Sequence, residues 1–195
     1  YALGLNGPCV SHDTACSAAL AAAHSGLRAL QNAECTVCVV SGVTLMLTPS
    51  VGTSFAIAGM TSAAGRCQTF DKNANGYVRG EGCGSVALKH DLGDWAALSL
   101  NGSAVRQDGR SASLTAPNGQ AQQSLLVASL ADGRVDPSEV ALIEAHGTGT
   151  ALGDPIEAGS LAGAVLSARG PTSEPLAVGG VKANIGHAEP AAGMT

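Results

Sequence analysis

The sequence is poor in aromatic residues, in charge and in long apolar runs, and each shortage excludes a class of function. Its 195 residues include 2 Phe, 2 Tyr and 1 Trp, and 13% are charged. So few aromatic rings leave little for base stacking. The 10 Lys and Arg, set against 15 Asp and Glu, give a net charge of -5, which disfavours binding to phosphates. We therefore expect no nucleic acid partner.

Positions 35–65 contain no charged residue, but they do not predict a membrane span. Ser, Thr, Gly and Pro interrupt them so often that no run reaches the roughly 18 consecutive apolar residues typical of a transmembrane helix. The chain begins at Tyr1 rather than Met, so we expect a piece of a longer protein whose targeting signals are not visible. A cytoplasmic location is the prediction, with organelle targeting left open.

The apolar content of 45% is enough for a packed globular domain without disulfides, although the chain has 6 cysteines. Cys35 and Cys38, in "CTVC", precede a β-branched run, and we interpret them as reduced, buried strand residues. A zinc site is disfavoured because no second Cys or His pair has matching spacing. The stretch "DKNANG" imitates a calcium loop but has Gly82 where a bidentate Glu is needed. We predict no metal.

The first part of the chain predicts a helix followed by a strand. Leu20, Ala23, Leu27 and Leu30 fall on one face of a helix from Cys16 to about Asn32, which predicts a buried apolar face. "CTVCVVSG" then predicts a short central strand, since its Val content lacks the polar alternation of a half-exposed strand.

A second such unit begins at "VALIEA", which predicts a buried strand, followed by the loop "HGTGTALG" and the helix "DPIEAGSLAGAVLSA". Asp154 as N-cap, Pro155 at the first helical position and Glu157 predict a capping box at the start of this helix. "LAVGGVKANI" predicts another strand that leads to His187. Strands and helices alternate, which favours an α/β architecture.

Cys16 is the first candidate functional residue. It follows "DTA" at the predicted start of the helix, where backbone N–H groups and the helix dipole favour thiolate over thiol. Small neighbouring residues would let a substrate approach closely. A buried structural cysteine is the alternative, and local sequence does not decide between the two.

His146 and His187 are the second candidate group. His146 follows a buried strand and precedes alternating Gly and Thr, at the end of the sheet where α/β folds collect ligands. His187, in "NIGH", repeats the order strand, glycine, histidine. Two histidines in matching contexts, together with the helix-start cysteine, favour catalysis over a structural role.

One reaction class suits a Cys, His, His set. The thiolate attacks an acyl thioester and holds the acyl group covalently. Two imidazoles then donate hydrogen bonds to the oxygen of a second thioester as it becomes an enolate, which is the charge that develops when a malonyl unit loses carbon dioxide. The resulting carbanion attacks the acyl-enzyme, and a carbon–carbon bond forms.

Five stretches along the chain resemble the ketosynthase domains of the thiolase-like condensing-enzyme superfamily, and most closely those of type I modular polyketide synthases. They are "DTACSAAL", "GRCQTFDKNANGYVRGEG", "GSAVRQDGRSASLTAPNGQAQQ", "EAHGTGTALGDPIEAG" and "VKANIGHAEPAAG". The resemblance implies a thiolase-like α-β-α-β-α layered fold of the α/β class. It also implies that residues 1–195 are a partial ketosynthase domain, from the nucleophile region through the second histidine, without its N- and C-terminal parts.

The resemblance assigns roles to particular residues. It implies that Cys16 is the acyl-accepting nucleophile, that His146 and His187 are the decarboxylation pair, and that Lys182 supports them. It makes Thr148 and Thr150 the contacts to phosphopantetheine, an arm carried by the partner acyl carrier protein, while the domain itself needs no cofactor. The implied partners are acyl and malonyl thioesters of that carrier, and a second copy in a homodimer.

Three other functions remain as alternatives. A papain-type cysteine hydrolase fits the separation of Cys16 and His146, but its local signature C-G-[SA]-C-[WY] is missing and it gives the second histidine no role. A non-catalytic ketosynthase-like scaffold would be expected to have lost a member of the constellation. A fatty-acid β-ketoacyl synthase shares the chemistry and is the nearest alternative, although "APNGQAQQ" and "VKANIGHAE" favour the polyketide type.

Overall fold

The computed structural model describes residues 2–90, 98–113 and 115–195, in which helices and strands alternate as predicted. The helices are α1 (Ala18–Gln31), α2 (Pro49–Ile57), α3 (Gly119–Gly133), α4 (Gly153–Ala164) and α5 (Lys182–Ile185). The strands are β1 (Val37–Thr44), β2 (Gly82–Lys89), β3 (Leu142–Glu144) and β4 (Ala177–Gly179). Within these described residues, no helix is long and apolar enough to cross a membrane.

The chain divides into two units. The first is drawn from residues 1–47, 80–99 and 188–195, and the second from residues 48–79 and 100–187. In the first unit, β1 and β2 pair antiparallel, from Val37 opposite Lys89 to Thr44 opposite Gly82. The predicted strand at "CTVCVVSG" is therefore present, displaced by two residues toward the C-terminus, but among the described residues it pairs with β2 alone and its burial alternates, so it is not the central, fully covered strand that was predicted. Cys35 and Cys38 are half-buried, which corrects the prediction that they are buried.

Helix α1 packs on β1 mainly through its small residues, and the predicted apolar face is confirmed at Leu30, which is buried, but not at Leu20. Leu20 is 59% exposed, whereas the buried positions of the helix are Ala18, Ala19, Gly26, Ala29 and Leu30. The reason is close approach: a Cβ at Gly26 would lie 2.8 Å from the Sγ of Cys38, and a Cβ at Gly42 would lie 3.0 Å from that of Ala19. Helical spacing alone had placed Leu20 on the buried face.

A short 3-10 segment, Glu189–Met194, completes the first unit. The hydroxyl of Thr44 donates to the carbonyl of Ala188 at 2.6 Å and accepts from the backbone N–H of Ala191 at 3.2 Å. Ala191 is fully buried. The end of the chain is thereby fixed against β1.

In the second unit, β3 and β4 pair parallel, with Leu142 opposite Ala177. Helices α3 and α4 pack together, and the buried hydroxyl of Ser160 donates to the carbonyl of Gly119 at 3.1 Å. Asn118 caps α3, because its side-chain oxygen accepts from the N–H groups of Gln120 and Ala121. The sequence analysis had not predicted α2 or α3.

Two predicted elements of the second unit differ from the structure. The strand at "LAVGGVKANI" is limited to β4, because the following N–H groups bond within a turn: those of Ala183 and Asn184 donate to the carbonyls of Gly180 and Val181. The helix predicted from Asp154 begins one residue earlier, with Leu152 at the N-cap, and "LSA" is a separate 3-10 turn.

Candidate active site

The loop that carries His146 connects β3 to α4 in the second unit. Parallel pairing brings the backbone N–H of Ala145 to the carbonyl of Gly179, at 3.0 Å, so His146 follows directly from the end of the strand. Gly147 and Gly149 both have positive φ, 48° and 78°. A Cβ at Gly149 would lie 2.5 Å from the backbone nitrogen of Gln68, so only glycine allows the loop to lie this close to the 67–69 segment.

Two carboxylates of α4 hold this loop by its backbone. Asp154, which is 3% exposed, accepts from the N–H groups of Gly149 and Thr150 at 3.1 Å and from that of Phe70 at 2.7 Å. Glu157 accepts from the N–H groups of His146 and Gly147 at 2.6 and 2.8 Å. The predicted capping box is therefore wrong, because both side chains bind the loop instead of the first turn of their own helix.

The methyl group of Thr69 fills the space that two glycines leave. Its Cγ2 lies 2.6 Å from the position of a Cβ at Gly147 and 2.6 Å from that of a Cβ at Gly180, and its hydroxyl donates to the carbonyl of Gly147. Thr69 thus packs at once against the loop after β3 and the turn after β4.

His187 follows α5 and is held by its backbone against a neighbouring segment. Its N–H donates to the carbonyl of Val78 at 2.7 Å, and the residue forms a parallel bridge with Arg79. Gly186, with φ of 77°, allows this approach, since a Cβ there would lie 3.2 Å from the Val78 carbonyl. The side chain of His187 is 3% exposed, and the ring of Tyr77 lies edge-on to it at 5.1 Å.

The two candidate histidines lie side by side. Their ring centroids are 5.5 Å apart and their planes are nearly perpendicular, at 87°. His146 keeps an exposed surface while His187 is buried. The structure therefore brings together the pair that the sequence analysis predicted, with one ring open to solvent.

Lys182 opens α5, five residues before His187, and is 6% exposed. The turn before it is fixed by Glu144, whose carboxylate accepts from the backbone N–H of Val181 at 2.6 Å. A buried ammonium group disfavours further positive charge nearby. The charge of Lys182 thereby disfavours protonation of His146.

The pKa of His146 lies below its usual value. Desolvation by the surrounding protein is the main cause, even though part of the ring remains exposed, and the charge of Lys182 adds to it. Glu157 and Asp154 act in the opposite direction without reversing the shift. His146 is therefore neutral at pH 7, and a neutral imidazole offers one N–H donor and one acceptor.

Thr148 and Thr150 both lie in the loop, but their environments differ. Thr148 is 6% exposed, whereas Thr150 is half-buried. The hydroxyl of Thr150 accepts from the backbone N–H of Gly153 at 3.2 Å, which leaves its own O–H to donate elsewhere. Their predicted contact with phosphopantetheine remains a prediction.

Cys16 belongs to the first unit. It lies in the 3-10 turn Ala15–Ser17 that leads directly into α1, and its side chain is half-buried. Ala15 has a φ of 53°, which is uncommon for a residue with a side chain and places the thiol on a tight turn. The hydroxyl of Ser17 donates to the carbonyl of Thr14 at 2.9 Å and fixes the turn locally. The predicted helix-start position is thus observed.

Cys67 differs from Cys16 in being buried rather than half-buried. Cys67, in the second unit, is buried, and its sulfur accepts from the N–H of Val78 at 3.3 Å. Burial raises the pKa of its thiol, which makes it a weak nucleophile.

Sequence reasoning missed the residues that hold the loop. The sequence analysis placed Asp154 and Glu157 at the start of a helix, but it paired their carboxylates with N–H groups of that helix instead of those of the preceding loop. The available signal was their spacing, since residues three apart on a helix share a face, and here that face meets the preceding loop. Thr69 and Tyr77 gave no local signal.

Comparison with known proteins identifies the class to which this fold and these residues belong. Residues 1–92 match the beta-ketoacyl synthase N-terminal domain and residues 98–195 the C-terminal domain, so the chain belongs to the beta-ketoacyl synthase family. The resemblance to type I modular polyketide synthases is confirmed by the relatives and solved structures.

Among curated proteins, two components of the phenolphthiocerol/phthiocerol polyketide synthase of Mycobacterium tuberculosis are similar to the chain over its whole length. It is 47% identical to one of them and 45% identical to the other. It spans only 11% and 9% of those two proteins, respectively.

The solved structures confirm the thiolase-like α/β fold. The oxazolomycin ketosynthase domain OzmH KS7 of Streptomyces albus JA3453 has a TM-score of 0.93 and 37% identity, over 97% of this chain and 35% of that one. The ketosynthase from module 6 of the bacillaene synthase of Bacillus subtilis 168 has a TM-score of 0.91 and 39% identity, over 98% and 35%.

Proposed function

We propose that this chain is the part of a ketosynthase domain that extends from its nucleophile to its second histidine. We propose that it catalyses the decarboxylative Claisen condensation of an acyl chain bound to Cys16 with a malonyl-type unit on an acyl carrier protein. The product is a β-ketoacyl thioester in polyketide biosynthesis. The observation that carries this proposal is the pair formed by His146 and His187, with ring centroids 5.5 Å apart and the pKa of His146 lowered.

The first half-reaction is acyl transfer. The thiolate of Cys16 attacks the carbonyl carbon of the incoming thioester, the sulfur of the carrier leaves as a thiolate, and the acyl group becomes bound to Cys16. The position of Cys16 on a tight turn at the start of the 14-residue helix α1 supports this role, because helix N-termini favour thiolates.

The second half-reaction breaks and forms carbon–carbon bonds. The bond to the malonyl carboxylate breaks, carbon dioxide leaves, and the electron pair stays as an enolate whose oxygen accepts hydrogen bonds from His146 and His187. The enolate carbon attacks the acyl group on Cys16, and the thiolate departs. A neutral imidazole at His146 suits this step, because it has an N–H to donate and does not need to give up a proton.

Polyketide synthesis is favoured over fatty-acid synthesis because the similar proteins and solved structures belong to polyketide synthases. The carrier protein would present both substrates on its phosphopantetheine arm, and Thr148 and Thr150 are its proposed contacts. Lys182 supports the pair by disfavouring protonation of His146. We also propose a homodimer of the complete domain.

The test separates the two half-reactions in the full-length protein. Cys16→Ala should abolish the acyl-enzyme, measured by intact mass, yet leave release of labelled carbon dioxide from malonyl carrier. In the double variant His146→Ala, His187→Ala, the rate of decarboxylation should fall by about 10²-fold or more, which is the effect of removing one preorganised hydrogen-bond donor. Some acylation of Cys16 should remain.

Two further variants serve as controls. Cys83→Ala removes an exposed thiol, and His24→Ala removes a histidine in the middle of α1. Each of these variants should carry out acyl transfer and decarboxylation at the parent rates. If the double histidine variant releases carbon dioxide at the parent rate, the pair is structural and the scaffold alternative is favoured.

A further inference from the structure

The segment 76–79 of the second unit is bonded to the backbone near both candidate histidines. The N–H of Gly76 donates to the carbonyl of Gly149, in the loop that follows β3, at 2.9 Å. Two residues further on, the carbonyl of Val78 accepts from the backbone N–H of His187 at 2.7 Å. One short segment therefore holds the loop of the first histidine and the backbone of the second.

Tyr77 lies between these two bonds, and its own backbone is fixed to a third segment. Its N–H donates to the carbonyl of Met60 at 3.2 Å, and its carbonyl accepts from the N–H of Ser62 at 2.8 Å. A Cβ at Gly76 would lie 2.7 Å from the Met60 carbonyl oxygen, so the two segments are in close contact. The side chain of Tyr77 therefore starts from a backbone that is bonded through both of its polar groups.

The ring of Tyr77 is an aromatic neighbour of the His187 imidazole. The centroids of these two rings are 5.1 Å apart and their planes meet at 73°, while the ring of His146 lies 5.5 Å from that of His187 at 87°. Tyr77 is 7% exposed and His187 is 3% exposed. Nearly perpendicular aromatic pairs at this spacing are favourable, and the attraction depends on the angle between the rings. A turn of the His187 ring would lose this arrangement.

We propose that Tyr77 is a positioning residue for the decarboxylation step. Its ring holds the plane of the His187 imidazole, and that plane determines where the N–H of His187 points. This inference rests on the proposed function, in which His146 and His187 donate to the same enolate oxygen. Two donors stabilise one developing charge fully only when both point at it, so an imidazole that turns gives up part of its contribution. Tyr77 acts through His187 and takes no part in the bond changes.

Two substitutions in the full-length protein separate the ring of Tyr77 from its hydroxyl. Tyr77→Phe keeps the ring and should retain most of the rate of labelled carbon dioxide release from malonyl carrier. Tyr77→Leu removes the ring, and kcat for this release should fall by about tenfold with KM unchanged, because a misdirected donor weakens the transition state but not substrate binding. Acylation of Cys16, measured by intact mass, should equal that of the parent in both variants.

Phe55→Leu is the matched control, since it removes a phenyl ring in the same unit by the same kind of substitution. Phe55 belongs to α2, and its ring centroid lies 5.4 Å from the guanidinium carbon of Arg79. This variant should release carbon dioxide at the parent rate.

A double-mutant comparison identifies the histidine through which Tyr77 acts. In the His146→Ala background, Tyr77→Leu should still lower the release of carbon dioxide by about tenfold. In the His187→Ala background it should cause no further loss, because the imidazole that it orients is gone.

Several results would overturn the inference and leave the proposed function in place. They are an unchanged kcat in Tyr77→Leu, an equal fall in Tyr77→Phe, and a further fall in the His187→Ala background. Loss of acylation in Tyr77→Leu and also in Tyr77→Met would make Tyr77 a residue of the core alone and would overturn it too. If His187→Ala itself releases carbon dioxide at the parent rate, the proposed function fails, and this inference fails with it.

Discussion

The turn that carries Cys16 and the loop that carries His146 are held in different ways. In the first unit, the turn is fixed by bonds within three residues: Asp13 accepts from the N–H of Ala15, and Ser17 donates to Thr14. In the second unit, the loop is held by Asp154 and Glu157 of the following helix and by Thr69, which lies 78 residues before Gly147. Asp154 also binds the N–H of Phe70, 84 residues away. Local patterns therefore describe the first site well and the second one poorly.

The largest difference should appear when one carboxylate is removed from each region. Asp154→Ala leaves three backbone N–H groups without their acceptor, and the buried one, that of Gly149, should cost about 1–3 kcal/mol. We expect amide hydrogen exchange of residues 146–150 to accelerate by about 10²-fold or more in the full-length protein. Asp13→Ala removes one exposed bond and should change exchange of its turn by less than about fivefold.

Asp154→Asn serves as the conservative variant, since its one remaining side-chain oxygen should retain part of the protection. Equal acceleration by Asp154→Ala and Asp13→Ala would show that the Asp154 carboxylate does not hold the loop.

A smaller effect is expected from adding a methyl group to the loop. Gly147→Ala places a Cβ 2.6 Å from the Cγ2 of Thr69 at a φ of 48°, which combines crowding with left-handed strain. The two together cost about 2–4 kcal/mol. The measurement is the exchange rate of the same loop amides, together with the rate of carbon dioxide release.

Gly59→Ala is the matched control, because Gly59 has a φ of 69° but nothing within 4 Å of the new Cβ. It should cost only the strain of about 1–2 kcal/mol. Equal costs for the two substitutions would contradict the close packing on Thr69.

The sequence predicted the helix that follows Cys16 and the position of His146 after a strand, because each depends on a local pattern, whereas His187 follows the short helix α5 and not the predicted strand. The sequence analysis failed where a side chain could bond to, or pack against, more than one segment of the folded chain. Asp154 and Glu157 have a capping-box spacing, but the loop N–H groups lie nearer than those of their own helix. Leu20 has helical periodicity, but close approach to β1 selects alanine and glycine.

The smallest expected effect is a shift in the acid limb of the pH profile of carbon dioxide release. The pKa of His146 lies below 6.5, so the folded state resists protonation that the unfolded chain accepts. Its contribution to stability is complete above pH 6.5 and is lost as the pH falls through the folded-state pKa. Lys182→Met removes a charge that lowers this pKa, so the acid limb of carbon dioxide release should move to higher pH.

Lys72→Met is the control for this shift, since it removes an exposed lysine and should leave the acid limb unchanged. An acid limb that stays in place in Lys182→Met would mean that desolvation alone sets the pKa of His146.

The contact of Thr69 with both Gly147 and Gly180 has a consequence for evolution and for design. The Thr69 methyl group occupies the space that a Cβ at Gly147 or at Gly180 would need. The side-chain volumes that positions 69, 147 and 180 can hold are therefore linked. An alanine at either glycine becomes compatible with the backbone only when position 69 shrinks. A library that varies the three positions together should therefore recover functional combinations that one-at-a-time mutagenesis never reaches.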